Sequence, residues 1–215
     1  MKIISINVSL PRLANVHGRE FETGFFKVPV SGPVAVNKLN LEGDGQADLS
    51  VHGGPDKAVY LYSTEHIEYW KRALRRDDIG SGSFGENLTV EGHAENEVAI
   101  GDEMAIGTAR FVVTQPRLPC FKLALALETP SIGKPFLETG RTGFYLRVRQ
   151  EGVIQAGDEI HPLPSRESER VTIAEFVELY RVKRATRDQI RRILSLAALP
   201  ESWKNRLTGK AEVGS

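Results

Sequence analysis

Val153-Ile154-Gln155-Ala156-Gly157-Asp158-Glu159-Ile160 repeats the pattern of an earlier stretch, Val98-Ala99-Ile100-Gly101-Asp102-Glu103-Met104. Each has a short apolar run, a Gly-Asp pair and a second run. Glycine supplies a positive φ and aspartate bonds nearby backbone, so each stretch predicts strand, turn, strand in the manner of a hairpin. With further strands near Arg110 to Thr114 and Phe144 to Val148, a mostly antiparallel β-barrel is the natural closure. Nothing alternates strand with long helix, so a parallel sheet is not expected.

The N-terminal half fits the same scheme. Ile4, Ile6, Val8 and Leu10 alternate with Ser5, Asn7 and Ser9, the period of a half-buried strand that Pro11 ends. A loop or hairpin through Phe26 then leads to a short strand at Val34-Ala35-Val36, and Phe25 and Phe26 read as core plugs rather than substrate contacts. Ser63 is placed to cap a helix over Glu65 to Leu74, whose stripe of Ile67, Trp70 and Leu74 reads as core. His66, in its first turn, reads as structural more than as a ligand.

The fold changes class after Pro162-Leu163-Pro164-Ser165, which with the polar run to Arg170 reads as a linker. Thr172-Ile173-Ala174-Glu175 is a capping-box sequence, and Thr186-Arg187-Asp188-Gln189 is another. Pro200 opens a third helix, with Trp203 and Leu207 inward and Gly209 past its end. The expectation is a barrel domain over residues 1–165 and a three-helix domain over 166–215. Helices this short must pack on one another and on the barrel or a second subunit, which admits a homodimer.

The 215 residues carry 28 basic and 28 acidic side chains, so no overall field attracts nucleic acid or an anionic membrane. The arginines at 181, 184, 187, 191 and 192 sit among glutamates and read as a solvated face. No apolar run reaches the length of a spanning helix, and the start of the chain is too short and too quickly polar for a signal peptide. A cytoplasmic protein is expected.

Chemistry concentrates in four loops. Thr114-Gln115-Pro116-Arg117-Leu118-Pro119-Cys120-Phe121-Lys122-Leu123 holds the only cysteine between two prolines, which stiffen the loop, and two cations, which favour the anionic sulfur that attacks electrophiles or binds metal. The competing reading is an inert core thiol beside Phe121 and Leu123. Lys122 to Leu127 continue as a short helix. Leu41-Glu42-Gly43-Asp44-Gly45-Gln46-Ala47-Asp48 reads either as a hard-oxygen cation loop without EF-hand spacing or as tight turns at Gly43 and Gly45 with local aspartate bonds. In His52-Gly53-Gly54-Pro55-Asp56-Lys57, backbone N–H groups beside glycine can approach an anion and Lys57 can contact phosphate, although the P-loop spacing is absent. Gly80-Ser81-Gly82-Ser83-Phe84-Gly85-Glu86-Asn87-Leu88 lets backbone at Phe84 and Gly85 lie against a planar ligand, and Asn87 offers a donor and an acceptor or serves as a turn former. Arg141 adds positive potential to a pocket or is a solvated loop charge.

In chain order, the segments at 41–48, 51–58, 84–88 and 114–120 resemble the hallmark segments of the MOSC family. Within it the chain is most similar to YiiM-type proteins, which carry a short helical domain after the MOSC domain. That resemblance implies a β-barrel linked to the molybdenum cofactor, with Cys120 supplying sulfur to molybdenum beside the pterin dithiolene. It places Arg117, Lys57, His52 and Asn87, with Phe84 and Gly85, at the pterin and phosphate site. The implied reaction is reduction of N-hydroxylated bases, as in resistance to N-hydroxylaminopurine, and related N-oxygenated compounds by oxygen-atom transfer to reduced molybdenum. No flavin, nicotinamide or iron–sulfur signature is present in the sequence, so a separate electron-donor protein is expected. Two other readings stay open: a carrier of molybdenum cofactor or of persulfide sulfur without turnover, and an interaction module with a structural barrel.

Overall fold

The computed structural model describes residues 1–16, 18–47, 53–92, 95–182 and 185–212. The first half contains strands β1 (Lys2–Val8), β2 (Arg12–Val16), β3 (Arg19–Thr23), β4 (Val28–Val30), β5 (Val34–Val36) and β6 (Val59–Ser63), helix α1 (Thr64–Leu74) and β7 (Leu88–Glu91). Then come β8 (Glu103–Ile106), β9 (Ala109–Pro116), the short helices α2 (Phe121–Ala126) and α3 (Gly133–Glu138), and β10 (Phe144–Gln150), β11 (Gly152–Ile154) and β12 (Ile160–Leu163). Helices α4 (Ile173–Val182), α5 (Arg187–Leu194) and α6 (Glu201–Glu212) end the chain. The last three helices follow the last strand, as expected, while α3, set between β9 and β10, has no clear signal in the sequence.

Eight strands form one sheet in the order β12-β8-β9-β10-β6-β7-β1-β4, antiparallel throughout except for the parallel pair β6–β7. The expected closed barrel is replaced by a sheet with two ends, β12 and β4. Its ends are nonetheless drawn together, because Ile3 N–H donates to the Asp158 carbonyl (2.9 Å), Gly157 N–H to Ile3 (2.8 Å) and Ile160 N–H to Met1 (2.9 Å). β1 gives only its first residues to that side and spends the rest on β7 and β4. Register shifts in β1–β7 and twice in β9–β10 supply the local bending that such curling requires.

The shift between Ile3 and Ser5 also corrects the expected phase of β1. Ile3 and Ile6 are buried, Ile4 is exposed, and Leu10 lies beyond the strand in solvent. Asn7 takes a core position, which it tolerates because its amide donates to the Glu86 carbonyl and to Thr89 Oγ1.

The two Gly-Asp stretches do form matching turns. Asp102 Oδ2 accepts from Ala99 N–H at 2.8 Å and Asp158 Oδ2 from Gln155 N–H at 2.9 Å, with Gly101 at φ 90° and Gly157 at φ 97°. Neither turn closes a hairpin, because the flanking runs take different partners. β12 pairs with β8, β11 with β5, and Ala99 bridges to Thr172. A turn specifies reversal of direction, whereas pairing is set by which edge is free.

In the C-terminal helices, Thr186 and Gln189 exchange both bonds of a capping box. The other box is half made: Thr172 Oγ1 accepts from Glu175 N–H, but the Glu175 carboxylate turns to Arg192. α6 runs through Gly209 rather than ending before it. Val171, Ile173, Phe176, Val177 and Trp203 belong to the same apolar cluster as Ile6, Leu61, Leu88 and Phe111 of the sheet, so helices and sheet share a core. A second cluster, centred on Tyr62, Trp70, Phe84 and Phe136, fills the space beneath α1 and α3. No helix among the described residues is long and apolar enough to cross a membrane.

Candidate functional site

The cysteine loop leaves the sheet where β9 ends. Thr114 is the extra residue of a bulge, since Gln115 pairs with Tyr145 and Val113 with Leu146. Beyond it Arg117 turns inward, and Cys120 sits in extended backbone just before α2, its carbonyl accepting from Leu123 N–H (3.1 Å).

These residues face a pocket of about 720 Å³, counted with its open mouth, that also takes in Lys57, Phe84, Gly85 and Asn87. Six of the seven expected site residues therefore meet; His52 lies outside the described residues. Phe25, Lys27, Asp44, Tyr60, Lys122 and Tyr145 complete much of the wall.

Arg117 dominates the site. It is only 3% exposed, yet no carboxylate among the described residues pairs with it, and its Nη1 is buried without a hydrogen-bond partner. Its guanidinium carbon lies 5.4 Å from the ring centre of Phe136 and 5.7 Å from those of Phe25 and Tyr60, and Nη2 is 3.9 Å from Cys120 Sγ. Ring faces partly stabilise a cation but do not replace an anion. Burial raises the Tyr60 and Tyr145 phenols, so neither supplies a negative charge near neutral pH.

Lys122, 9% exposed, lines the same pocket. Lys57 ends the 3-10 turn Pro55–Lys57, which Gln46 holds by accepting from Gly54 N–H (2.6 Å) and donating to the Lys57 carbonyl (3.3 Å). The acidic wall residue Asp44 is already engaged, accepting from Lys27, from Ser9 N–H (2.9 Å) and from Asn87 Nδ2 (2.9 Å). Burial lowers the Lys27 ammonium from its ordinary value, and Asp44 opposes that shift. Among the described residues that line the cleft, Lys27, Lys57, Arg117 and Lys122 stand against the single carboxylate of Asp44, although the chain as a whole is neutral.

Several expectations change here. Asn87 borders the pocket, but its Nδ2 donates to Asp44 and to the Asn7 carbonyl and its Oδ1 accepts from Tyr60 N–H (3.0 Å), so its amide organises the wall. Phe84 is fully buried and stacks on Tyr62 (4.5 Å). Phe25 packs against the second apolar cluster, as expected of a core plug, and also lines the pocket; Gly85 is required beside it, since at φ 78° a Cβ there would stand 2.8 Å from the Phe25 ring. Asp44 bonds distant groups rather than local amides, and Gly45 is needed for close approach to Pro11 rather than for a positive φ. Arg141 is not in this pocket; it lies 4.4 Å over Tyr69 and reaches His66 Nδ1 at 3.2 Å. Lys27, Tyr60 and Tyr145 had no signal in the sequence, because each is brought in from a different strand or loop.

Beneath the loop of Phe84 and Gly85 lies Glu86, fully buried. Its carboxylate accepts from Gly82 N–H (2.6 Å), Phe84 N–H (3.0 Å) and Thr89 Oγ1 (2.9 Å). Burial still pushes its pKa up to about 7.

Comparison with known proteins agrees with this geometry. The MOSC domain model matches residues 48–161, and the model of the YiiM-like, 3-alpha helix domain matches residues 171–209. The uncharacterized protein YflK of Bacillus subtilis (strain 168) is 41% identical over 203 residues, covering 94% of this chain and 90% of that protein. The crystal structure of YiiM from Geobacillus stearothermophilus superposes with a TM-score of 0.82 at 36% identity, covering 97% of this chain and 98% of that one. A protein of Gibberella moniliformis (strain M3125 / FGSC 7600) named Reductase is 34% identical over 146 residues, covering 66% of this chain but 26% of its own length. Sequence, domain order and fold agree, and the chain belongs to the MOSC domain family, in its YiiM-like branch.

Proposed function

We propose that this protein is an oxidoreductase that binds the molybdenum cofactor and reduces N-hydroxylated bases and related N-oxygenated compounds. The observation that carries the reading is Arg117, a buried guanidinium facing a cleft, with no carboxylate among the described residues paired to it and a thiol 3.9 Å away. A buried cation is tolerated when an anionic ligand completes it. Lys57 and Lys122 extend the same positive surface, which suits phosphate, and the rings of Phe25, Tyr60 and Tyr145 suit a flat heterocycle.

The donor set fits a metal that arrives with its own ligands. Among the described residues no three His, Cys, Asp or Glu side chains converge on one point, so Cys120 would be a single soft ligand added to a preformed complex. When bound, that group would supply the two electrons that, with two protons taken from solvent, split an N–O bond to give N–H and water. Arg117, Lys57 and Lys122 would hold its anionic part, Cys120 would fix its orientation, and the buried aromatic wall would limit access of water. A relative named Reductase, far longer than this domain, supports a redox role with electrons delivered from elsewhere.

Cys120→Ser is the decisive variant, because it replaces a soft ligand by a hard, poorly ionised hydroxyl of similar size. Molybdenum and pterin content, turnover with an added electron donor, and thermal melting are measured on one preparation. N-hydroxy reduction is expected to vanish with little change in melting. Full specific activity in molybdenum-loaded Cys120→Ser protein would overturn the ligand assignment.

A further inference from the structure

A second polar assembly ties the sheet to the C-terminal helices. Trp203, in the first turn of α6, donates its indole N–H to Gln115 Oε1 at 2.8 Å within the core. Gln115 Nε2 in turn points at the Asp56 carbonyl (3.4 Å), which Thr114 Oγ1 also reaches at 2.7 Å. The bulge at Thr114 is what lets two consecutive side chains approach one carbonyl. Arg147 completes the assembly: its Nε meets Asp56 Oδ1 at 2.5 Å and its Nη2 donates to the Ala198 carbonyl, just before α6, at 3.1 Å. Asp56 is thus held from the main chain and the side chain by groups tied to the helical tail, and the next residue is Lys57 in the pocket.

From this chain of bonds we infer that the helical tail is a positioning element for the anion site, with Trp203 acting through Gln115 and Asp56 to set the place of Lys57. The inference rests on the reading of the pocket as an anion site. It gives the tail a role that core packing alone does not require, since Phe176 (4.9 Å) and Tyr180 (5.6 Å) already fix the Trp203 ring edge-on without using its N–H. Trp203 touches neither the pocket lining nor the sulfur, so it positions and does not react.

The test uses the full chain and inorganic phosphate, with affinity read from NMR shift titration in wild type, Trp203→Phe, Lys57→Ala, Lys122→Ala and the two double variants. Trp203→Phe keeps an aromatic ring and removes the donor. It is expected to weaken phosphate binding about threefold to tenfold, the scale of one buried hydrogen bond passed on in part. The loss should vanish in the Lys57→Ala background and persist in the Lys122→Ala background, a split that general loosening of the core would not produce. Gln115→Leu, which breaks the same link from the sheet side, should behave alike if Trp203→Phe folds poorly. Wild-type protein that binds phosphate with an affinity sensitive to Lys57, together with an unaffected Trp203→Phe variant or one whose loss is equal in both backgrounds, would overturn the positioning role alone. Absence of phosphate binding, or binding indifferent to Lys57→Ala, would overturn the anion site and the positioning role with it.

Discussion

Two arginines, Arg117 buried and Arg141 half-buried, lie against aromatic rings, and they are solved in different ways. Arg141 lies over Tyr69 and reaches His66 Nδ1, while His66 Nε2 is 2.6 Å from Glu95 Oε1, which also accepts from Gly143 N–H at 3.0 Å. The imidazole links cation to carboxylate, although Arg141 Nε is itself buried without a hydrogen-bond partner. Arg117 has rings and a thiol for neighbours, and its unpaired nitrogen borders a cleft. Each arginine keeps one buried nitrogen without a partner, but Arg141 belongs to a chain of bonds that ends on the Glu95 carboxylate, whereas Arg117 faces the cleft. What separates them, among the described residues, is whether a carboxylate lies within that chain of bonds.

That contrast is most easily broken by replacing each arginine with methionine. Arg117→Met should reduce phosphate or cofactor binding at least tenfold while leaving stability unchanged or higher, because removing an unpaired buried charge relieves a desolvation cost. Arg141→Met should do the reverse, costing about 1–3 kcal/mol by taking away the partner of His66 Nδ1 and leaving ligand affinity intact. Chemical denaturation and binding titration on both variants test this; equal destabilisation would erase the distinction.

A smaller effect tests the floor of the pocket. Burial raises Glu86 to about 7, so the folded protein holds a proton that the unfolded chain releases near the ordinary glutamate value. Folded protein then binds more protons than unfolded between about pH 4.5 and 7, and stability falls as pH rises through that window. Glu86→Gln should flatten this slope. Melts across pH 5 to 8 that keep the wild-type slope in the variant would show that Glu86 is not its source.

The smallest expected effect is local. Gly85→Ala strains a residue at φ 78° and presses on Phe25, whereas Gly157→Ala at φ 97° meets nothing within 4 Å. Left-handed backbone costs a non-glycine residue about 1–2 kcal/mol, which both variants should share, with a melting loss of a few degrees for a chain of this size. Only Gly85→Ala should also weaken phosphate binding, by moving Phe25. Equal binding in the two would mean that the Phe25 wall does not shape the site.

Much of this was legible in the residues. Local signals carry the turns at Gly101-Asp102 and Gly157-Asp158, the cap at Ser63, the box at Thr186 and Gln189, and the change from strand to helix after Pro164, because each depends on contacts within a few positions. The motif loops, read through family resemblance, marked Lys57, Gly85, Arg117 and Cys120 as neighbours, and they line one cleft. What no local pattern carried is pairing and counter-charge. The bulge that turns Ile4 outward, the separation of the Gly-Asp runs onto different strands, Asn87 spent on Asp44, and Trp203 reaching Gln115 all depend on which distant edges and side chains meet after collapse. Arg117 shows the limit most plainly: its type and its loop are written in the chain, but that no carboxylate among the described residues pairs with it is a property of what packs around it.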